Sequence, residues 1–356
     1  MNRCPISPCI LLICRLASTA CLVVVLAVAW GAPAMSAGTQ TQPLPRSTGS
    51  DDLATVRQIL QSPDADIDLA RAKLMIDRMI DSSTDLERTQ VQLDGMVREL
   101  RSMLPAGASK RLTMDALRFH MYKASPWNGN RPFTYDLDDP LGTNVRNKLL
   151  TTYLATRKGN CVSMPLLFII LGQKLGIDVT AAAAPNHLFV KYRDDKGKLF
   201  NLETTSSAGF TRDEWMRQQF PMTDEAIASG IYMRPLTKKE TVIVMVSTLL
   251  EFYDTQGLQD QRIAMAKLAL EHSSKDVSLL LHEHQAYFAK WKQDFTSKYP
   301  TPNDIPTEKR ALFSMYEERM NTLLHQAYAL GWRPRDLTSE QDYRQRVIRA
   351  KSLQQP

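Results

Sequence analysis

The chain is poor in cysteine, and the few cysteines it has are unevenly placed. Five occur in 356 residues, and four of them, Cys4, Cys9, Cys14 and Cys21, stand close to the start. Beyond that segment Cys161 is alone. A single thiol excludes an intrachain disulfide and any metal site built on several cysteines. Three roles are left for Cys161: a small buried hydrophobe, a link to another molecule, or a reactive group.

Acidic residues are missing from the first part of the chain. Residues 1–37 contain two arginines, an apolar run at residues 20–30 and an A-x-A pattern at residues 32–34. These features predict a signal peptide over residues 1–37, cleaved on export to the periplasm or to the outside of the cell. An uncleaved membrane anchor is the alternative, because apolar residues at 10–14 lengthen the segment. Residues 38–51 are rich in Thr, Gln, Pro, Ser and Gly, which predicts a disordered linker.

The chain also lacks a dense patch of basic residues. Its formal net charge is +6, which becomes +4 when the two leader arginines are removed. Charged residues are 23% of the sequence and spread evenly, which argues against nucleic-acid binding. A hydrophobic fraction of 44% is ample for folded cores. We also expect no cofactor, no metal ion and, once the leader is cleaved, no attachment to a membrane.

Apolar residues recur at helical spacing before and after the middle of the chain. The first such pattern predicts an N-terminal helical region over residues 52–123. The second predicts four helices within residues 236–356, in two pairs that suggest tetratricopeptide-like repeats and a surface for a protein partner. Helical packing without a partner is the alternative. Between these regions lies a core of residues 124–235.

The core changes from helical to strand spacing after Gly176. A loop over residues 125–144, rich in Pro, Gly and Asn, leads to the stretch RKGNCVSMPLLF, where Asn160 suits a cap before a buried helix. Residues 177–205 then alternate with period two around a DDKG turn, which predicts a small antiparallel sheet. The fold class is therefore α+β, with the helix that bears Cys161 packed on this sheet and flanked by N-terminal and C-terminal helices.

Three residues of the core have the chain order of a cysteine triad. Cys161 opens the buried helix, where unpaired N–H groups and the positive end of the helix dipole favour a thiolate and can hold an oxyanion. His187 opens one strand and Glu203 closes the next, so the hairpin brings their ends together. Each alone has a plainer explanation: a buried thiol, a polar strand-edge residue and a helix cap. In combination they predict a nucleophile, a base and an orienting carboxylate.

Weaker candidates for substrate binding are Asn160, Asn186, Asn201, Trp127 and Tyr135. The first of these adjoins the nucleophile, and either of the other asparagines offers a neutral group to orient the imidazole. The two aromatic residues lie in the long loop, where they line a cleft or serve as loop anchors. Two more histidines, at positions 282 and 284, are two residues apart on a predicted helix, a spacing that does not suit a metal pair.

The stretch from about residue 135 to residue 209 resembles the transglutaminase-like superfamily. The segments that carry the resemblance are YDLDDPLGTNVRNKLL, RKGNC, QKLGIDV, PNHLFVKY and GKLFNLETT. The likeness is to a bacterial SirB-type branch, in which a papain/transglutaminase-like core is joined to tetratricopeptide-like helices. It implies that Cys161 is the nucleophile and His187 the base. It also places Glu203 where the family has an aspartate, with Thr205 at the threonine two residues later.

Two functions follow from these patterns. In the first, the protein is an exported thiol enzyme that acts on peptide or protein amides through a Cys-His-Glu triad and an acyl-enzyme. Hydrolysis is favoured over transfer because water is the more abundant acceptor. In the second, suggested by members of the branch that lack the cysteine, the core is a non-catalytic scaffold that binds a peptide or protein partner through its cleft and C-terminal helices.

Overall fold

The structure is a computed structural model that describes residues 49–334 and residue 345. The predicted signal peptide and most of the predicted linker lie outside these residues, as does almost all of the chain after residue 334. The first helix begins at Gly49, inside the stretch predicted to be linker. Of the helices in the described part, none is both long enough and apolar enough to cross a lipid bilayer.

Within the described residues four helices precede the core, where the helical spacing predicts a helical region. The second, third and fourth are capped by the residues just before them, Asp68, Asp85 and Ser109, whose side chains accept hydrogen bonds from N–H groups of the first turn. Their apolar faces are buried in the main hydrophobic core. The helices are α1 (Gly49–Gln61), α2 (Leu69–Ile80), α3 (Leu86–Ser102) and α4 (Lys110–Tyr122).

A buried ion pair ties α2 to the core. Lys73 Nζ bonds the carboxylate of Asp77 one turn along the helix, and it donates to the carbonyl of Lys148 at 3.0 Å. The second oxygen of Asp77 accepts from the backbone N–H of Leu150 at 2.7 Å. Both charged side chains are fully buried. Burial raises the pKa of Asp77, while Lys73 and the N–H of Leu150 oppose that rise.

The long loop joins the core through two short parallel strands. The pairing of β1 with β2 holds the loop against the segment that leads to Cys161. A 3₁₀ turn and one short helix fill the space between the two strands. In chain order these elements are β1 (Thr134–Tyr135), the turn Val145–Lys148, α5 (Leu150–Thr156) and β2 (Lys158–Gly159).

Helix α6 packs on a four-stranded antiparallel sheet, and the order of the strands is β3-β4-β5-β6. Every residue of α6 from Ser163 to Gly172 is buried, because helices cover the face of α6 that the sheet leaves open. The elements are α6 (Ser163–Lys174), β3 (Val179–Ala184), β4 (His187–Arg193), β5 (Leu199–Glu203) and β6 (Gly209–Thr211). The predicted α+β class is confirmed. The strands β1, β2 and β6 were missed, since two or three residues are too few to show an alternating pattern.

The C-terminal helices are built onto the core. Helix α9 contacts both α2 and β3 of the sheet. Each of the last four helices packs against the next in the chain. The elements after the sheet are α7 (Asp213–Gln219), α8 (Asp224–Ala228), α9 (Lys238–Thr255), α10 (Gln259–Leu270), α11 (Val277–Trp291) and α12 (Thr307–Ala329). Their likeness to tetratricopeptide repeats stays a prediction.

Candidate active site

The chain reaches Cys161 through a turn in which space and backbone conformation restrict the sequence. Arg157 follows the last residue of α5 and has a left-handed φ of 61°. Gly159 lies so close to the ring of Tyr153 that a Cβ atom at this position would be 2.5 Å from a ring carbon. Since Tyr153 is fully buried and cannot move aside freely, a glycine is required two residues before the thiol.

Asn160 caps the start of α6. Its Oδ1 accepts from the backbone N–H groups of Val162 and Ser163 at 3.0 and 3.1 Å, and its Nδ2 donates to the carbonyl of Asn147. The residue is 1% exposed, so its side chain holds the turn and does not face a ligand. Within the described residues, the backbone N–H of Cys161 makes no hydrogen bond. That N–H group is therefore free to bind an oxygen of a substrate.

A two-residue turn between β3 and β4 positions His187. Ala184 and His187 are paired across β3 and β4, which leaves only Pro185 and Asn186 to reverse the chain. Asn186 has a φ of 56°, in the left-handed region that asparagine tolerates better than most residues. Its carbonyl oxygen lies 4.0 Å from Sγ of Cys161. The turn thus places the imidazole at the end of its strand and brings backbone against the thiol.

Glu203 binds the imidazole directly. Its Oε2 lies 2.7 Å from Nε2 of His187. The other oxygen accepts from Oγ1 and N–H of Thr205, at 2.6 and 3.0 Å. The side chains of His187 and Glu203 are 8% and 3% exposed, so water competes little for these bonds. The carboxylate is held on both sides, and it fixes which ring nitrogen faces the cleft.

These contacts favour a charged imidazole. Burial lowers the pKa of His187, but hydrogen bonds and charge from Cys161 and Glu203 outweigh it and raise that pKa to about 9. Burial raises the pKa of Glu203, but hydrogen bonds from His187 and Thr205 outweigh it and hold that pKa below its ordinary value. Because Nε2 is bonded to the carboxylate, Nδ1 is the ring nitrogen left for the thiol. At neutral pH the ring carries a proton that it can give to a leaving group.

The pair should make stability depend on pH. The pKa of His187 is raised from 6.5 to about 9. Its contribution to the free energy of unfolding is therefore complete below pH 6.5 and is lost as pH rises through 9. The pKa of Glu203 is lowered from 4.5, so its contribution is present above pH 4.5 and is lost as pH falls below that. We expect Glu203→Gln to lower the free energy of unfolding by about 2 kcal/mol between pH 5 and 6.5, with a smaller loss near pH 10.

Urea unfolding of both proteins across this pH range measures the difference. Thr205→Val is a useful second variant, because it removes the hydroxyl bond to Glu203 and leaves both charges in place. A difference that stayed constant from pH 5 to pH 10 would mean that the two groups are not coupled in the folded protein.

Two aromatic residues that sequence reasoning missed lie at this site. The ring of Phe220 stacks on His187, with ring centres 4.1 Å apart and planes inclined by 11°. Trp215, on α7, lines the same cleft and is 39% exposed. Stacking restrains the plane of the imidazole and shields one face of it from water. Neither residue has a distinctive spacing from the triad in the sequence, so no local pattern could have identified them.

Cys161 and His187 open onto a cleft of about 1660 Å³. The long loop forms part of its wall, and Tyr135 lines it while its hydroxyl donates to the carbonyl of Pro140 at 2.6 Å. Trp127 lies in the same loop but is not among the residues that line this cleft, and its ring is 46% exposed. Small-molecule pockets measure roughly 300–1000 Å³, so this cleft has room for a polypeptide segment.

The two asparagines considered as neutral orienters do not occupy that position. Asn201 donates its side-chain N–H to Asp213 at 2.7 Å. Asn186 meets the thiol through its backbone carbonyl. Glu203 already bonds the imidazole, so no amide is needed there. As for metals, the described part of the chain contains no cluster of three or more His, Cys, Asp or Glu side chains that could hold an ion.

Part of the chain is similar to a known family. Residues 87–240 match the family model described as the transglutaminase-like superfamily. This part of the chain is therefore similar to that superfamily, and it takes in α3 and α4 as well as the sheet. None of the curated proteins compared with the chain matches it.

Proposed function

We propose that this protein is an exported thiol enzyme that cleaves amide bonds of peptides or proteins through Cys161, His187 and Glu203. The observation that carries the proposal is the placement of the three side chains. A buried carboxylate is 2.7 Å from the imidazole of His187, and Sγ of Cys161 lies 4.0 Å from the carbonyl oxygen of Asn186, the residue before that histidine, in the same cleft. Nucleophile, base and orienting group in this order are the parts that acyl transfer requires.

Each group has a defined step in the reaction. The sulfur of Cys161 attacks the carbonyl carbon of the amide, and its proton is held by His187. The unbonded N–H of Cys161 donates to the oxyanion that forms. The imidazolium then gives its proton to the departing nitrogen, which leaves a thioester between the cysteine and the acyl group. Water, deprotonated by the neutral imidazole, attacks the thioester and releases an acid.

Glu203 acts throughout as an anion. Its pKa is held below the ordinary value, so it remains charged beside the imidazolium and stabilises that charge. We favour water over an amine as the final acceptor because water is present in far greater concentration. Export follows from the character of residues 1–37. The C-terminal helices, if they have the tetratricopeptide-like character of the SirB-type branch, supply a surface for a protein partner.

The experiment that tests catalysis compares the wild-type protein with Cys161→Ala. Each is incubated with a protein extract of the cell envelope, and the peptides are then analysed by mass spectrometry. We expect cleaved or deamidated peptides, or acyl groups trapped on Cys161, only with the wild type. Alanine removes the sulfur without adding bulk at the helix start, so both proteins should unfold at similar urea concentrations.

Identical products from both proteins would refute the proposed enzymatic activity. The alternative, a scaffold that binds a peptide without changing it, would then be favoured. Glu203→Gln serves as an intermediate case, because it keeps the thiol and the shape of the site but removes the charge that supports the imidazolium. Its products should be the same as those of the wild type and should form more slowly.

A further inference from the structure

A buried arginine organises the far wall of the cleft. Arg262, on α10, is 2% exposed. Its Nη1 donates to Asp254 at 2.6 Å, and its Nη2 donates to Nδ1 of His282 at 2.9 Å and to Oε1 of Gln285 at 2.8 Å. One guanidinium therefore holds two side chains of α11. It was not among the residues that sequence reasoning selected, although a charged residue in the buried stripe of α10 is an unusual feature.

These contacts determine what the two side chains can still do. A guanidinium only donates hydrogen bonds, so Nδ1 of His282 and Oε1 of Gln285 act as acceptors. The proton of the neutral imidazole is then on Nε2, and the amide of Gln285 has only its NH₂ group left over. Both side chains line the cleft. Arg262 thus presents to the cleft two hydrogen-bond donors, one from each residue.

The donors stay neutral over the working pH range. Burial, with Arg262 and Lys148 nearby, lowers the pKa of His282 to about 3. Lys148 also lines the cleft, where it is paired with Glu251 of α9. The charges around the two donors are therefore balanced, with Arg262 against Asp254 and Lys148 against Glu251. Such a wall offers hydrogen bonds to oxygen atoms without a strong preference for charge.

We propose that His282 and Gln285 form a subsite that binds acceptor oxygens of an extended peptide whose amide bond lies at Cys161. The proposal rests on the proposed function, since it concerns the substrate of the same cleft. One continuous cleft contains the thiol, the imidazole of His187 and both donors, and its volume suits several residues of a peptide. The oxygens are backbone carbonyls or the carboxylate at the end of the peptide.

Arg262 acts in this subsite as a positioning residue. Asp254 balances its buried charge, and the bonds from Nη2 give partners to further N–H groups of the guanidinium. The additional bonds from Nη2 occupy the only acceptor atoms of two side chains that face the cleft. Because Arg262 uses these acceptor atoms, only the N–H donors of His282 and Gln285 are left for a ligand.

The test measures peptide binding in a Cys161→Ala background, which prevents turnover. The probes are a library of synthetic decapeptides, each made both as a free acid and as a C-terminal amide. Peptides retained by the parent protein are identified by mass spectrometry and titrated individually. Gln285→Glu keeps the oxygen that accepts from Arg262 and replaces the donor with a carboxylate. His282→Ala removes the other donor, and His284→Ala, two residues along the same helix and away from the cleft lining, is its matched control.

We expect His282→Ala to raise Kd about 3- to 10-fold and Gln285→Glu to raise it at least as much, while His284→Ala has little effect. If the loss is confined to free acids, the bound oxygens are those of the terminal carboxylate. If free acids and amides lose equally, they are internal carbonyls. Equal affinities in the parent and in both cleft variants, or a parent that binds none of the peptides, would overturn the subsite.

This outcome is separable from failure of the enzyme itself. Restoring the cysteine to each variant allows alkylation of Cys161 to be measured, and neither His282→Ala nor Gln285→Glu should alter it. If only the subsite proposal is wrong, alkylation of Cys161 still depends on His187. If the catalytic pair is wrong, alkylation no longer depends on His187, and the effects of the variants on peptide binding are unchanged.

Discussion

Alkylation of Cys161 by iodoacetamide is expected to slow less steeply from pH 7 to pH 5 in the wild-type protein than in His187→Ala. In the proposed ion pair the thiolate is stabilised by an imidazolium whose pKa is about 9, so the charge on His187 is unchanged over this interval. An isolated thiol, with an ordinary pKa of about 8.5, loses a factor of ten in thiolate for each pH unit. In His187→Ala the rate should therefore fall about 100-fold from pH 7 to pH 5.

The measurement follows the peptide that contains Cys161 by mass spectrometry, since the full chain has four other cysteines. Urea-denatured protein gives the reference for an isolated thiol, and His284→Ala controls for loss of a histidine elsewhere. Glu203→Gln provides a second route if His187→Ala folds poorly. Wild-type protein whose rate falls as steeply with pH as that of the denatured reference has no ion pair, and the scaffold function is then correct.

Removal of the buried carboxylate at position 77 should destabilise the protein by about 3–5 kcal/mol. In Asp77→Ala the ammonium of Lys73 is left fully buried without its counter-ion, and the N–H of Leu150 loses its acceptor. Burial raises the pKa of Asp77, which shows that the intact pair is itself costly to bury. The large effect therefore comes from leaving one buried charge alone, not from a strong pair.

Urea unfolding gives the free-energy change directly. Asp77→Asn is expected to fall between wild type and alanine, because its amide oxygen can still accept from the N–H of Leu150. Asp115→Ala is the matched control. Asp115 is paired on the surface with Arg111 at the same helical spacing and also with Arg118, and its loss should cost less than about 1 kcal/mol. If Asp77→Ala unfolded no more easily than this surface variant, the ion pair would not anchor α2.

Periodicity in the sequence was a good guide to the helices and strands. The four helices predicted within residues 236–356 are present as α9, α10, α11 and α12, because apolar residues recur there at helical spacing. The sequence also predicted the hairpin around DDKG, since the turn residues fix its register. Helix α6 shows the limit of this reasoning. It is buried on all sides, so its sequence indicates burial without showing which face meets the sheet.

The sequence predicted only part of the candidate active site. The order of Cys161, His187 and Glu203 gave three of its side chains, and the sheet brings the latter two to 2.7 Å. The ring of Phe220 on the imidazole could not be foreseen, because contact between distant segments leaves no mark at either position. Trp127 was chosen for its loop, yet it does not line the cleft.

The sequence by itself determined which residues are able to do chemistry: a lone thiol at a helix start, a histidine and a carboxylate on neighbouring strands, and an apolar stripe that buries the helix. These follow from local rules of spacing and residue type. Only the tertiary structure decided that Glu203 is long enough to reach His187 and that Arg262 turns two side chains of α11 toward the same cleft. The reason is physical: hydrogen-bond partners far apart in the chain are selected by packing, which no local pattern encodes.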